Sequence, residues 1–281
     1  MTSEAKAAVT GWPVTHSRSP LIHGYWLKKH GLAGHYGKCG VEPEQAEDFY
    51  KNFGKNGLVG CNVTVPHKEV AAKACVHLDD AAKAMGAANT LWLNENGELC
   101  GANTDGLGFL GNLDQMQPGW DTQAKTAIVL GAGGATRAIV WALLSRNFTE
   151  VHIFNRTYEK ASKIVSEFGA GSIAHPWDQL GETLGKADVL VNTTALGMTG
   201  KAPLEIDLGN LPTTALVTDI VYAPLETDLL RIAKERGNPV VDGLGMLLHQ
   251  AVPGFEKWFG VRPVVDDELR RIILKDLGVS A

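Results

Sequence analysis

Cysteine is scarce: Cys39, Cys61, Cys75 and Cys100 are the only four in a chain of 281 residues. None forms a C-x-x-C pair and no histidine cluster accompanies them at zinc spacing, so no structural metal is expected. In a chain of this size without a secretion signal, buried or free thiols are expected rather than two disulfides. Long apolar runs are missing too. No stretch of about 18 apolar residues is present, so no helix is expected to span a membrane. The opening MTSEAKAAVT carries Glu4 and no apolar segment, so no signal peptide is expected and the chain reads as cytoplasmic. Positive charge is not in excess: 26 Lys and Arg against 31 Asp and Glu leave a net charge of -5 at pH 7. No Lys/Arg-rich block offsets that balance, which speaks against a nucleic-acid partner.

What is plentiful is glycine. The 32 glycines are about 11% of the chain, against a usual ~7%, and suggest tight turns and backbone–ligand contacts. A hydrophobic fraction of 44% can fill real cores, which excludes disorder and collagen-like repeats. At about 150 residues per domain, the length suggests two domains. No internal repeat or low-complexity stretch is evident, and the pattern leaves monomer and homodimer equally open.

The second half reads as alternating strands and helices. Lys125–Leu130 ends in the apolar strand TAIVL; GAGGATRA, a helix-like AIVWALLSR and the strand VHIF follow. That is one βαβ unit of about 30 residues. Further strands are expected at Ala187–Val191, Ala215–Val221 and Pro239–Val241, with helices at Tyr158–Phe168 and Thr227–Arg236 between them. The alternation predicts a Rossmann-like, doubly wound parallel sheet. The first half predicts a smaller α/β domain. A strand at Ala8–Gly11 precedes a helix in which Ser19 is the expected cap and Pro20 the first residue. Leu21, Ile22, Tyr25 and Trp26 should form its buried face, and Gly31 its end. Leu58–Val65 reads as a strand and Asn89–Cys100 as a hairpin across Asn96-Gly97. Leu244–Leu277 reads as helical, interrupted at Pro253 and Pro263.

Gly131-Ala132-Gly133-Gly134-Ala135 stands between a strand and a helix, the context in which a glycine fingerprint implies a bound pyrophosphate. Gly131 would allow the tight turn, and Gly133 a close approach of backbone to phosphate. Thr136 occupies the third glycine position of G-x-G-x-x-G, which weakens the match, and a glycine-rich turn without a ligand is the plain alternative. At the end of the next strand, an NAD site wants a carboxylate for the ribose 2′-OH. Asn155, Arg156 and Thr157 stand there instead, with Lys160 a turn later. A guanidinium holds a 2′-phosphate through paired, charge-assisted bonds, so NADP is the expected cofactor. The alternative is a helix start with solvated charges.

Three polar clusters mark the first half. His16-Ser17-Arg18-Ser19 leads into a helix, where two hydroxyls could hold a carboxylate; Ser19 as a simple cap is the alternative. Asn62-Val-Thr64-Val-Pro66-His67-Lys68 ends a strand, and alternation puts Asn62 and Thr64 on one face. Asn103-Thr104-Asp105-Gly106 has ordinary turn chemistry.

Taken together, GWPVTHSRSPLIH, NVTVPHK, GAANT, GANTDGLG, GAGGATRA, NRT, NTTALGM, DIVYAPLETDLL and DGLGMLLHQA resemble the shikimate dehydrogenase family, in the family's order and over nearly the whole chain. The resemblance implies an NADP-dependent oxidoreductase acting on a small molecule, the interconversion of 3-dehydroshikimate and shikimate in aromatic amino-acid biosynthesis. By matching position it implies Ser17 and Ser19 for the substrate carboxylate, with Tyr222 closing over that side. Thr64, Asn89 and Gln250 would bond the ring hydroxyls or the reacting oxygen. Lys68 and Asp105 would form the catalytic pair. Gly131, Ala132, Gly133, Gly134 and Ala135, with Asn155, Arg156, Thr157 and Lys160, would hold the phosphates and the adenosine ribose. Ile220, Gly243 and Met246 would lie against the nicotinamide, and Asp80 matches a position tied to the cofactor. The implied domains are a substrate-binding domain, 1–104 completed by 244–281, and an NADP-binding domain, 105–243. The clearest departure is Gly24 after His23, where the family usually has Asn. Rival readings are a quinate/shikimate dehydrogenase using NAD, a methylenetetrahydrofolate dehydrogenase, and a non-catalytic NADP-binding sensor of the same fold. Asn155-Arg156 argues against the first, the Ser17/Ser19 pair against the second, and Lys68 with Asp105 against the third.

Overall fold

A computed structural model describes residues 4–279. The chain divides into two compact units: one runs up to Thr104 and resumes at Leu248, the other is Asp105–Leu247.

The first unit is built on a mixed sheet of six strands, β1 (Ala5–Gly11), β2 (Gly34–Gly40), β3 (Gly60–Val63), β4 (His77–Leu78), β5 (Thr90–Leu93) and β6 (Leu99–Ala102), in the order β2-β1-β3-β5-β6-β4. β1 pairs in parallel with β2 and β3, whereas β5 runs antiparallel to both β3 and β6. The β5–β6 hairpin turns at Asn94–Gly97 as expected, with Gly97 in the left-handed region its amide bond back to Asn94 requires. Val41, Tyr50, Phe53, Cys61, Val63 and Leu91 are among the residues of one buried cluster. Ile22, Trp26, Phe255 and Trp258 are buried as well. The returning C-terminal segment is fastened at two points: the indole of Trp258 donates to the Leu91 carbonyl at 2.9 Å, and that of Trp26 to the Val264 carbonyl at 3.1 Å. Gly60 has no room for a side chain there, because a Cβ would lie 1.9 Å from the Trp258 indole nitrogen.

Several local expectations change. The helix Ser19–His30 is capped not by Ser19, which is its first residue, but at Arg18; Ser17 Oγ accepts the Ser19 amide at 3.3 Å, and Pro20 stands second. Its buried face is Ser19, Ile22, His23, Trp26 and Leu27, while Leu21 is 41% exposed. The reason is that an α-helix turns 100° per residue, so the pair Ile22/Trp26 cannot share a narrow stripe with Leu21 once His23 faces inward. Gly31 ends it in the left-handed conformation. Leu58–Val65 is a strand only over Gly60–Val63, where pairing partners exist on both sides. Asp105-Gly106 is not a turn; Asp105 begins the helix Asp105–Met116. The last segment is three helices, Leu244–His249, Val252–Phe259 and Asp267–Asp276. Pro253 lies in the first turn of the second, where its missing N–H costs nothing, and Pro263 lies in the extended link before the third.

The second unit carries an all-parallel sheet of β7 (Thr126–Leu130), β8 (Glu150–Asn155), β9 (Ser172–Pro176), β10 (Val189–Asn192), β11 (Leu216–Asp219) and β12 (Val240–Val241), ordered β12-β11-β10-β7-β8-β9. Numbered within the unit, that is the 3-2-1-4-5-6 arrangement of a doubly wound fold, with its reversal between β7 and β10. Alternation sorts β7 onto two cores. Ala127 and Val129 join one with Ile139, Leu143 and Val191; Ile128 and Leu130 join the other with Phe154, Leu190 and Val217. Burial on both faces is why these strands read as unbroken apolar runs. The helix Tyr158–Phe168 falls on its expected bounds, and Asp228–Glu235 is capped by the Thr227 hydroxyl.

Candidate active site

In the first unit, polar side chains collect where β3, β5 and β6 end. Asn62, at 5% exposure, points its amide nitrogen at the Asn89 carbonyl and the Thr90 hydroxyl, both at 3.3 Å. Its oxygen accepts from Tyr36 Oη at 2.6 Å and lies 3.2 Å from His23 Nε2. Asn89 Oδ1 accepts the Thr104 amide (2.9 Å) and the Thr90 hydroxyl (3.0 Å), and the Thr104 hydroxyl lies 3.1 Å from it. The Asn89 oxygen is thereby committed within the protein. Thr104 also reaches the Gln250 carbonyl at 2.8 Å, which ties the residue after β6 to the C-terminal segment.

The two serines expected to act together do meet: Ser17 Oγ donates to Ser19 Oγ at 3.3 Å. Thr64 is half-buried just past β3, and its amide bonds the Thr10 carbonyl. Lys68, half-buried, opens the helix Lys68–Ala74 directly after His67, whose imidazole is locked to the Val41 carbonyl at 2.7 Å. Asp80 is the outlier. Its side chain is 95% exposed and lies 3.4 Å from Lys83 on the same helix. Gly24 is exposed and borders a surface groove with Pro20, Leu21, Tyr25 and Ile272; a Cβ there would meet nothing within 4 Å. No hydrogen-bonding function of an Asn at that position is taken over by glycine.

Burial sets the ionisation of this floor. His23 is pushed down to about 3 by desolvation, against a smaller upward pull from Asn62, so the ring is neutral at physiological pH. Desolvation likewise drives the Tyr36 phenol far above the ordinary range, so it keeps its proton.

In the second unit the glycine loop follows β7. Gly131 takes φ +110°, and a Cβ there would come within 2.7 Å of Thr193 Oγ1. Gly133 and Gly134 face open space, where an added Cβ would touch no atom within 4 Å, and Gly134 begins the helix Gly134–Ser145, whose first turn has no acid. Such a helix start presents unpaired N–H groups and a partial positive charge. Thr136, which departs from the glycine fingerprint, is fully buried and completes the loop. Its hydroxyl accepts the Gly133 amide at 3.0 Å and lies 2.8 Å from the Thr193 hydroxyl, which itself donates to the Leu130 carbonyl at 2.6 Å. Because the Thr193 proton is used on Leu130, Thr136 is the donor between the two threonines. The sequence motif NTTALGM contains Thr193, but nothing in its spacing points at Thr136.

At the ends of β8 and β10 a groove of about 550 Å3 is lined by Asn155, Arg156, Trp177, Thr194 and Pro203, with Glu205 at its border. Asn155 bonds the Thr157 carbonyl at 2.8 Å, which shapes the turn; Arg156, Thr157 and Lys160 are exposed. Ile220, Met246 and Ala132 pack against the same buried cluster. Gly243 lies so close to Ile220 that a Cβ would fall 2.6 Å from its carbonyl. Tyr222 is half-buried in the loop after β11. That loop is held by Asp219, which receives Asn192 Nδ2 (3.0 Å), the Val221 amide (2.9 Å) and the Thr227 hydroxyl (2.8 Å).

Sequence models of three families match: the shikimate dehydrogenase substrate binding domain over residues 9–91, shikimate/quinate 5-dehydrogenase over 113–199, and the shikimate 5′-dehydrogenase C-terminal domain over 243–266. A shikimate dehydrogenase (NADP(+)) of Azorhizobium caulinodans is 54% identical over 275 residues, covering 98% of each chain. Among solved structures, the shikimate 5-dehydrogenase of Thermus thermophilus, in complex with NADP(H) and shikimate, is 34% identical with a TM-score of 0.84, covering 97% of this chain and 99% of its own. The quinate dehydrogenase of Corynebacterium glutamicum, in complex with NAD, is 25% identical with a TM-score of 0.87, covering 97% and 99%.

Proposed function

This chain belongs to the shikimate dehydrogenase family, and we propose that it reversibly reduces 3-dehydroshikimate to shikimate with NADP. The observation that carries the reading is 54% identity to an NADP-dependent shikimate dehydrogenase, sustained over 98% of both chains.

The residues present fit the cofactor. The open backbone at Gly133 and Gly134, at the start of a helix, suits a pyrophosphate. Arg156 in the groove beyond β8 suits a 2′-phosphate, since Asn155 stands where an NAD site would carry an acid. Ile220, Gly243 and Met246 offer an apolar surface for the nicotinamide, and Lys160 adds charge near the ribose end. When bound, NADPH supplies the hydride. Asp80, exposed beside Lys83, has the weakest structural case among the cofactor assignments.

The chain's own residues then have separable tasks. Ser17 and Ser19 hold the substrate carboxylate, and Tyr222 covers that side. Thr64, Asn89 and Gln250 bond the ring hydroxyls or the reacting oxygen. Hydride addition to a ketone leaves an alkoxide, which needs positive charge while it forms and a proton at the end; the Lys68 ammonium supplies both. In the oxidative direction neutral Lys68 removes the hydroxyl proton. Asp105 is the proposed partner of Lys68 in that role. The enzyme works in the cytoplasm, as a monomer or homodimer.

The test is a spectrophotometric assay of the purified protein with shikimate or quinate and with NADP or NAD. Turnover is expected with shikimate and NADP. A protein inert toward that pair, or one that prefers quinate with NAD, overturns the reading.

A further inference from the structure

We propose that Asn112 is a positioning residue for the nicotinamide surface, a buried amide that clamps the turn carrying Gly243 and Met246. The proposal rests on the reading that those two residues lie against the nicotinamide.

Asn112 is the odd member of its helix. Every other buried residue of Asp105–Met116 is apolar or a glycine, and Asn112 itself is only 2% exposed. Its Nδ2 donates to the Asp242 carbonyl at 2.6 Å, across 130 positions of chain. A carbonyl only accepts, so the nitrogen must face Asp242 and the oxygen must face elsewhere. That oxygen is buried with no hydrogen-bond partner. An amide with one group paired and the other stranded gains little net stability, because the stranded acceptor has lost its water. An apolar side chain would fill the position without that cost. What the amide adds is direction: one bond of fixed geometry to one backbone oxygen.

That backbone oxygen belongs to the turn between β12 and the helix Leu244–His249. The turn is held at three points. Asp242 Oδ1 accepts the Leu244 amide at 3.0 Å, a local side-chain turn that leads into the helix. Gly243 is pressed on Ile220, whose carbonyl oxygen would lie 2.6 Å from an added Cβ. Gly245 sits directly on Asn112: a Cβ there would come within 1.8 Å of Oδ1 and 2.4 Å of Cγ. Asn112 therefore holds Asp242 by its nitrogen and supports Gly245 by its oxygen. Gly243 and Met246, between and beside those two, inherit their placement. Met246 is half-buried on the core cluster that includes Leu113 and Val241. Hydride transfer depends steeply on how the ring is presented, so a clamp behind that surface acts on catalysis without touching the cofactor.

The experiment measures by isothermal titration calorimetry the binding of NADPH and of adenosine 2′,5′-bisphosphate, which carries the adenine and the 2′-phosphate but no nicotinamide. The proteins are wild type, Asn112→Ala, Gly245→Ala, the double variant and Met246→Ala. Asn112→Ala is expected to raise the NADPH dissociation constant about three- to tenfold, the scale of one neutral hydrogen bond, while that of the bisphosphate stays within about twofold. The kcat with shikimate should fall as well. Gly245→Ala leaves the amide in place but pushes on it, and should shift the ratio of the two affinities in the same direction. The double variant should fall no further than the worse single one, because both changes break one contact. Equal losses for the two ligands, no loss for either, or losses that simply add in the double variant overturn the proposal. If Met246→Ala leaves the ratio unchanged, the nicotinamide reading itself fails; if Met246→Ala moves the ratio and Asn112→Ala does not, only the clamp fails. Should Asn112→Ala fold poorly by circular dichroism, the ratio in Gly245→Ala decides in its place.

Discussion

The hydroxyls of Thr136 and Thr193 lie 2.8 Å apart, 57 residues distant in sequence, and join the glycine loop to the end of β10. Together they form one directed chain, from the Gly133 amide through Thr136 and Thr193 to the Leu130 carbonyl. The glycine loop is thus fixed from behind by side chains, where the glycine fingerprint would use close packing alone.

Replacing Thr136 by valine keeps the volume and removes the hydroxyl. The loss of a helix-terminal cap should lower stability by about 1–2 kcal/mol. Loosening the loop should raise the NADPH dissociation constant about fivefold, which is ~1 kcal/mol. Thr136→Ser should restore most of both. Fluorescence titration with NADPH and thermal melting read the two effects; affinity unchanged in the valine variant would show the loop to be rigid without the chain.

Arg156 stands exposed at the rim of the groove after β8 with Asn155 beside it. Arg156→Ala should raise KM for NADP at least tenfold while changing that for NAD less than threefold, since paired guanidinium–phosphate bonds are worth ~1.5–3 kcal/mol and only NADP offers the 2′-phosphate. Steady-state kinetics with both cofactors decides, and parallel changes would remove Arg156 from cofactor selection.

Lys68 begins a helix, and its backbone carbonyl receives the Ala88 amide at 2.9 Å, a bond that survives side-chain truncation. Lys68→Ala should therefore fold normally yet lose roughly 10²–10⁴ in kcat, the usual scale of acid–base catalysis. NADPH affinity should be preserved. A variant with near-normal kcat would exclude Lys68 from proton transfer.

His23 makes stability depend on pH. The unfolded chain takes up a proton at this ring below about 6.5, whereas the folded protein does so only near 3. More protons on the unfolded side mean that stability falls as pH drops through that window, by up to about 1.4 kcal/mol per unit. His152, also lowered by burial, acts in the same sense. Asp79 and Asp219, raised by burial, oppose it at the acid end. Urea melts of wild type and His23→Phe between pH 7 and 4 isolate the one contribution: the variant should show the shallower slope, and identical slopes would contradict a buried neutral ring.

The second unit is the more legible in the sequence, for a physical reason. Strands buried on both faces must be apolar throughout, so TAIVL and ADVLV announce themselves, and Tyr158–Phe168 keeps a clean helical period. The first sheet hides better. β2 reads GHYGKCG, too rich in glycine to signal a strand, yet it pairs with β1 along its whole length. Asp105 reads as a turn residue because Asp-Gly favours turns, and the same short acid also favours a helix start. The polar networks are hardest. Asn62 is visible at the end of its strand, but Tyr36 lies 26 residues before it and His23 lies 39, and no periodicity links the three.

The indole of Trp258 meets the Leu91 carbonyl across 167 positions of chain, and the whole of Asp105–Leu247 is made in between. During synthesis the second unit can close its sheet while the helices that cover β3 and β5 are still untranslated. At ordinary elongation speeds that interval is on the order of ten seconds. For that time the early strands emerge with an uncovered apolar face, so the nascent chain, more than the finished enzyme, is the form most in need of a chaperone.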